Sequence, residues 1–301
     1  MKRFLTRVVM FSVVTVGVFL GVLSTADGWT DAYYLRFTTP TQQSLIVGTS
    51  RAAQGLQPAV FDSLLNLNIY NYAFTFGHSP YGPTYLHSIK AKVDTSSTNG
   101  TFIVAVDPWS LCSSKAAPND SLLFEEWDRM LATTPCVNCK PNFTYLIDHL
   151  SGRYYSTLFR NKGSYHLHDD GWLAITVNMD EDKMRKRTVS KIREYREGSF
   201  IEKTYSSLRF AYLQKTIDYL KRYGEVYLVR LPVGPEMLAL ETEFDPLFEE
   251  RMQQLAPKTA GYLDLTPQGD RFRYTDGNHL ATVSAPEVSR KVAVWMKNQS
   301  D

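Results

Sequence analysis

The chain lacks a charge bias of either sign. Its 33 Lys and Arg against 31 Asp and Glu leave a formal net charge of +2. A nucleic-acid binder normally shows a basic excess gathered into patches, so that class is excluded. No internal repeat and no low-complexity tract is present. Cysteine is scarce: Cys112, Cys136 and Cys139 are the only three. Cys136-x-x-Cys139 has no second close pair, and a structural zinc site needs four ligands, so no metal is expected. In an exported protein Cys112 would pair with Cys136 or Cys139 and leave one thiol over. What the chain does have is apolar residues, 44% of 301. That suffices for a real core, in one medium α/β domain with an insertion or in two small domains.

The N-terminus stands apart. Lys2, Arg3 and Arg7 precede an apolar run from Val8 to Leu23, broken only by Ser12, Thr15, Gly17 and Gly21. A basic n-region before an apolar h-region is an export signal. The run approaches the roughly 20 residues needed to span a bilayer. Residues 1–28 therefore read as a signal anchor, with its positive end in the cytoplasm. The alternative is a signal peptide cleaved after Ala26, where Ser24-Thr25-Ala26 supplies small residues. Either way, residues 29–301 are expected on the extracytoplasmic (periplasmic or outer) side, membrane-anchored or, after cleavage, secreted.

Five short apolar runs predict buried strands: Ser44–Val47, Leu67–Tyr72, Thr101–Val106, Glu225–Arg230 and Gly261–Leu265. Continuous apolar runs suit strands covered on both faces, as in a parallel sheet. Helical spacing follows at Pro58–Leu65, Pro83–Lys92, Ile201–Tyr223, Asp245–Leu255 and Pro286–Lys297. This alternation predicts an open α/β sheet with right-handed crossovers. The interval at about 107–200 is too long for a simple loop and predicts an inserted cap. Within it, Phe143–Phe159 reads as helix and Tyr165–Val177 as a hairpin turning at Asp169-Asp170-Gly171. The charge run Asp180–Arg196 reads as a solvated helix face or loop.

Ligands bind outside the carboxyl ends of strands in such sheets. The first strand ends in Gly48-Thr49-Ser50-Arg51-Ala52, which puts Ser50 on a tight turn before a helix. A serine there suits a nucleophile, although it also suits a helix cap. Near the C-terminus, Tyr274-Thr275-Asp276-Gly277-Asn278-His279 follows the fifth strand. Asp and His three apart on one loop can share a hydrogen bond, which frees the other imidazole nitrogen to take a serine proton. Arg51 is a candidate contact for an anionic substrate group, or more ordinarily the partner of a carboxylate, and His78 a candidate pocket residue. His166 and His168 share a strand face, for which a solvated hairpin tip is a sufficient explanation.

Gly48-Thr49-Ser50 and Asp276-x-x-His279 resemble the first and last blocks of SGNH (GDSL-like) hydrolases. The Gly-Thr-Ser-Arg-Ala form behind an anchor is most similar to the cell-envelope acyltransferase branch. That branch includes the D-alanyl-lipoteichoic acid transfer and polysaccharide O-acetylation proteins. The resemblance implies a flavodoxin-like three-layer sandwich with a five-stranded parallel sheet. It also implies nucleophile Ser50, base His279 and orienting Asp276, with no cofactor. The implied function is a serine esterase or O-acyltransferase acting on acylated envelope glycans, with a membrane-bound O-acyltransferase as partner. The family's oxyanion donors include a glycine after the second strand, matched by Gly77, alongside the backbone of Ser50. They also include an asparagine after the third strand, where this chain has Asp107-Pro108-Trp109-Ser110. Losing one such donor costs ~10²–10³ in rate. The departure keeps a second expectation in view: an inactive scaffold or glycan-binding module of an envelope complex.

Overall fold

The computed structural model describes residues 1–158, 163–198 and 200–300. The strands are β1 Ser44–Val47, β2 Ile69–Asn71, β3 Gly100–Ala105, β4 Cys112–Ser114, β5 Tyr165–Leu167, β6 Leu173–Ile175, β7 Lys203–Tyr205, β8 Gly224–Arg230 and β9 Gly261–Asp264. The α-helices are α1 Lys2–Leu23, α2 Ser50–Gly55, α3 Pro58–Leu65, α4 Pro83–Lys92, α5 Met130–Thr133, α6 Phe143–Asp148, α7 Glu181–Glu197, α8 Ser207–Leu220, α9 Pro235–Phe244, α10 Phe248–Leu255 and α11 Ala285–Ser300.

All five apolar runs become strands of one parallel sheet, ordered β2-β1-β3-β8-β9. Successive strand residues point to opposite faces, and here both faces are apolar. Leu45, Val47, Phe102, Val104, Val226 and Leu228 share one cluster with Tyr85 and Ile89 of α4, Leu213 and Ile217 of α8 and Met252 of α10. Ile46, Ile103, Ala105, Tyr227 and Val229 share another with Phe61 of α3 and Val288 and Val292 of α11. Each fully buried side chain of this size contributes about 1.5–3 kcal/mol. Burial on both faces explains why the strands read as unbroken apolar runs. The chain steps from β1 to β2 on one side and continues with β3 on the other. The order therefore reverses beside the carboxyl end of β1, where a crevice opens in such sheets.

The predicted hairpin forms as β5 and β6, with Gly171 at φ +84° in its turn. The charge run becomes α7, whose first turn is capped by the Asp180 carboxylate accepting from Lys183 N–H. Four expectations change. The helix expected over Ile201–Tyr223 begins only at Ser207, because Ser206 Oγ caps it by accepting from Arg209 N–H. The residues before it extend instead as β7, antiparallel to β4. The helix expected over Phe143–Phe159 ends at Asp148, and a single 3-10 turn follows at Tyr154–Thr157; Phe159 lies outside the described residues. Helix α9, directly after β8, was not expected at all. Finally, Cys136 is bonded to Cys139, and Cys112 is buried with a free thiol. Cys112 is committed to β4, in register with Tyr205, and so pairs with neither of the others. The Cys136–Cys139 loop is tied to the core by the fully buried Lys92, whose Nζ donates to Val137 O (2.8 Å) and Thr39 O (2.6 Å).

Helix α1 is long and apolar enough to cross a membrane, with a mean hydropathy of 2.1 over its most apolar window. Its side chains are exposed from Phe4 to Val18, while Leu23 at its end is fully buried in the domain.

Candidate active site

The turn after β1 is shaped by Gly48. Its φ of +151° disfavours any side chain, and a Cβ there would sit 2.8 Å from the Cβ of Ala105. Its carbonyl accepts from Phe74 N–H (3.2 Å) and from Ser79 Oγ (2.8 Å). These bonds draw residues 74–79, with Gly77 and His78, against the turn that carries Ser50. Thr49 Oγ donates to the Asp107 carboxylate at 2.8 Å. Ser50 then opens α2 at its first helical position. First-turn N–H groups of a helix have no intrahelical acceptor, and those of Arg51 and Ala52 follow Ser50 in that turn.

The partner loop closes on itself. The Asp276 carboxylate accepts from the N–H groups of Asn278 (3.1 Å) and His279 (2.9 Å), while Thr275 N–H donates to His279 O. Gly277 turns the chain at φ +76°, and a Cβ there would meet Thr188 of α7 at 2.8 Å. Gly234 N–H donates to Gly277 O, and Arg187 Nε of α7 donates to Thr275 O at 2.6 Å. The α9 start and α7 thus hold one short loop from two sides.

That loop delivers the imidazole to the serine. His279 Nε2 lies 2.8 Å from Ser50 Oγ, and His279 Nδ1 lies 2.9 Å and 3.1 Å from the two Asp276 carboxylate oxygens. With Nδ1 protonated toward the carboxylate, Nε2 is the nitrogen free to accept the serine proton. Burial alone would raise the Asp276 carboxyl. The ring hydrogen bond, the attraction of His279 and two backbone N–H bonds outweigh it and hold the carboxyl well below the usual range. The side chains of Asp276 and His279 keep 16% and 14% exposure, so the relay is shielded yet reachable.

The other candidates fall in different places. Gly77 is exposed in the turn beside Gly48. His78 is half-buried, its ring edge-on to Tyr33 at 5.4 Å. Burial pushes His78 down to about 4, with Arg129 and His149 adding to the effect, so it is neutral near pH 7. Arg51 does not offer its charge to a substrate. It is 5% exposed, its Nη2 ion-pairs with Glu241 at 2.5 Å, and its Nε donates to Asn278 Oδ1 at 2.9 Å. Asp107 is a loop holder: besides Thr49, it accepts from Ser110 N–H at 2.8 Å and caps the turn Pro108–Leu111. It takes up hydrogen bonds from Thr49 and Ser110 where the SGNH resemblance implies an asparagine donor. His166 sits on β5, stacked with Trp29, and His168 just past the strand's end, tilted against Trp172. Among the described residues no cluster of three or more His, Cys, Asp or Glu could hold a metal ion.

Sequence reading missed the groups beneath the relay. Glu241 of α9 is fully buried, and its carboxylate accepts from Arg51, Arg230 (3.1 Å) and the Trp109 indole (3.0 Å). Asn278 Nδ2 lies 3.3 Å from both Tyr195 OH and His279 Nε2. Asn278 had a signal, since it sits inside the Asp-x-x-His motif. Glu241 had none, because its partners come from positions 51, 109 and 230. A groove of about 500 Å³ runs behind the relay loop, between α7 and the start of α9. It is lined by Met184, Val189, Ile192, Pro235, Phe272 and Tyr274 and reaches Gly277, but not the side chains of Ser50 or His279. No protein-family model matches this chain, and no curated protein matches it.

Proposed function

We propose that this chain is a membrane-anchored, SGNH-type serine acyl-ester hydrolase or O-acyltransferase that works through an acyl-serine intermediate. The observation that carries the reading is the unbroken relay from Asp276 through His279 to Ser50, assembled from two ends of the chain at one sheet rim. Ser50 Oγ attacks the acyl carbonyl carbon while its proton passes to His279 Nε2. Asp276 holds the ring and offsets the imidazolium charge. The tetrahedral oxyanion accepts hydrogen bonds from backbone N–H groups of Ser50 and Gly77. Collapse expels the leaving alkoxide, which takes the proton back from His279. Water or a sugar hydroxyl then attacks the acyl-serine, with His279 again as base.

The strand order supports a flavodoxin-like sandwich, whose order 2-1-3-4-5 it matches. In this reading the interval 107–200 is a cap, contributing α7 to the wall of the site. The anchor places the domain on the extracytoplasmic side. Its substrates there are acylated envelope glycans, or acyl groups passed on by a membrane-bound O-acyltransferase. One observation favours the rival reading of an inactive scaffold: Asp107, committed to Thr49 and Ser110, stands where the family uses an oxyanion asparagine.

Fluorophosphonate labelling of the full-length protein separates the two. Wild type labels and turns over p-nitrophenyl acetate, while Ser50→Ala does neither. A wild type that neither labels nor exceeds Ser50→Ala in turnover would leave only the scaffold. Adding a glycan acceptor then divides hydrolase from transferase, by whether acylated glycan or free acid accumulates faster.

A further inference from the structure

Four large side chains stand open within residues 147–158: Ile147 (53% exposed), Tyr154 (45%), Tyr155 (55%) and Leu158 (51%). Isolated exposed apolar residues need no explanation, but three of these four lie on elements that pack against α1, and Leu158 directly follows the second of those elements. Helix α6 and the turn Tyr154–Thr157, which carry three of them, pack on α1. The Tyr154 ring meets the Phe19 ring edge-on at 5.2 Å. Thr157 Oγ donates to Val22 O, and Thr25 Oγ donates to Thr157 O, both at 3.2 Å. The turn is therefore fastened to the last turn of the helix, and Leu23 is buried in the domain core. Helix and collar form one continuous surface.

Length decides where a bilayer surface would fall on it. A span needs about 20 residues at ~1.5 Å each. Counted from Phe4, the first apolar residue after Lys2 and Arg3, 20 residues end at Leu23. The contact at Phe19 lies one turn, ~6 Å, inside that limit. A bilayer that covers α1 thus reaches past Tyr154. Tyrosine is enriched at that depth because its ring is apolar and its hydroxyl is wet. Arg153 Nη1 donates to Tyr155 OH at 2.6 Å, which puts a cation beside the ring.

We propose that Ile147, Tyr154, Tyr155 and Leu158 form a membrane-interface collar that beds the domain in the leaflet from which α1 emerges. The proposal rests on the reading of α1 as a membrane-spanning helix. Its occupant is the lipid surface itself.

The test uses the full chain in phosphatidylcholine–phosphatidylglycerol vesicles. A polarity-sensitive fluorophore is placed on single introduced thiols: Ile147→Cys, Tyr155→Cys, Val14→Cys in α1, and Val294→Cys on α11 beside the far sheet edge. Labelling without reductant leaves the Cys136–Cys139 bond and the buried Cys112 untouched. Lipid-borne nitroxides, at headgroup or mid-chain depth, then report position. The expected result is mid-chain quenching at 14, and headgroup-level quenching at 147 and 155 at least about twofold above that at 294. Quenching at 14 with 147 and 155 matching 294 overturns the collar and leaves the anchor intact. No quenching at 14 overturns both. Blue-shifted emission at 147 and 155 without lipid quenching assigns the surface to a protein contact, a second copy included, and also overturns the collar.

Discussion

Ser50 and Arg51 are neighbours in sequence and end in opposite surroundings, as do His279 and Asn278. Ser50 and His279 face the rim, where their atoms are reachable and their partners are few. Arg51 and Asn278 turn inward to a sealed cluster with Glu241, Arg230, Tyr195 and Trp109. One pair of chain segments therefore builds both a reactive layer and a rigid layer beneath it. The rim atoms can be chemically exposed because the charges under them are not. A buried carboxylate between two guanidiniums is expensive to desolvate, and such a cluster is weak evidence for stability in itself. What it supplies here is position: it joins α2, α9 and the relay loop through side chains that cannot move independently.

This division predicts that rim substitutions change rate and inner substitutions change stability. Ser50→Ala should cost about 10⁴-fold or more in ester turnover, with an unchanged urea midpoint; a large loss of stability would break the division. Asp276→Asn should follow at ~10²–10⁴-fold in kcat, since it keeps the shape but loses the charge that steadies the imidazolium. Glu241→Ala reverses the pattern. It strands Arg51 and Arg230 without a carboxylate and should cost about 3–5 kcal/mol in urea unfolding. If Glu241→Ala melts like wild type, the inner layer holds nothing in place.

Acid titration sharpens the same contrast. The Asp276 carboxyl lies below its unfolded value of about 4, so the folded state binds fewer protons than the unfolded one as pH falls through that value. Its contribution is complete above pH ~4 and is lost progressively as pH falls further toward the folded value. Asp276→Asn should therefore flatten the acid limb of stability against pH, measured by circular dichroism, and Ser50→Ala should leave it unchanged. The smallest effect belongs to Arg187→Ala. Its hydrogen bond to Thr275 O is partly exposed, so about 1 kcal/mol of stability and a few-fold in rate are expected. A loss as large as that of Asp276→Asn would move α7 from the support to the relay itself.

The local features were legible in sequence. Ser44–Val47 and Thr101–Val106 read as strands because burial on both faces writes an unbroken apolar run. Asp276 and His279 read as a pair because only two residues of one loop separate them. Features that depend on distant partners were not legible. Ile201–Tyr223 has helical spacing of aromatics, yet β7 is pulled out of it by pairing with β4, some ninety residues earlier. Cys112 looked available for a disulfide until that same pairing fixed it away from Cys136 and Cys139. Arg51 read as an anion contact or as the partner of a carboxylate; the second forms, but nothing near it in sequence announces Glu241.

The relay spans 229 positions of chain, and β9, the strand that leads into its second half, pairs only with β8 at the sheet edge. A ribosome therefore delivers the serine 229 positions before its imidazole partner. Until then the strands β2-β1-β3-β8 can pair while Ser50 still lacks its proton acceptor. In the reading proposed above, a chain truncated before His279 carries an inert hydroxyl, so chemistry waits for the last strand to seat on β8.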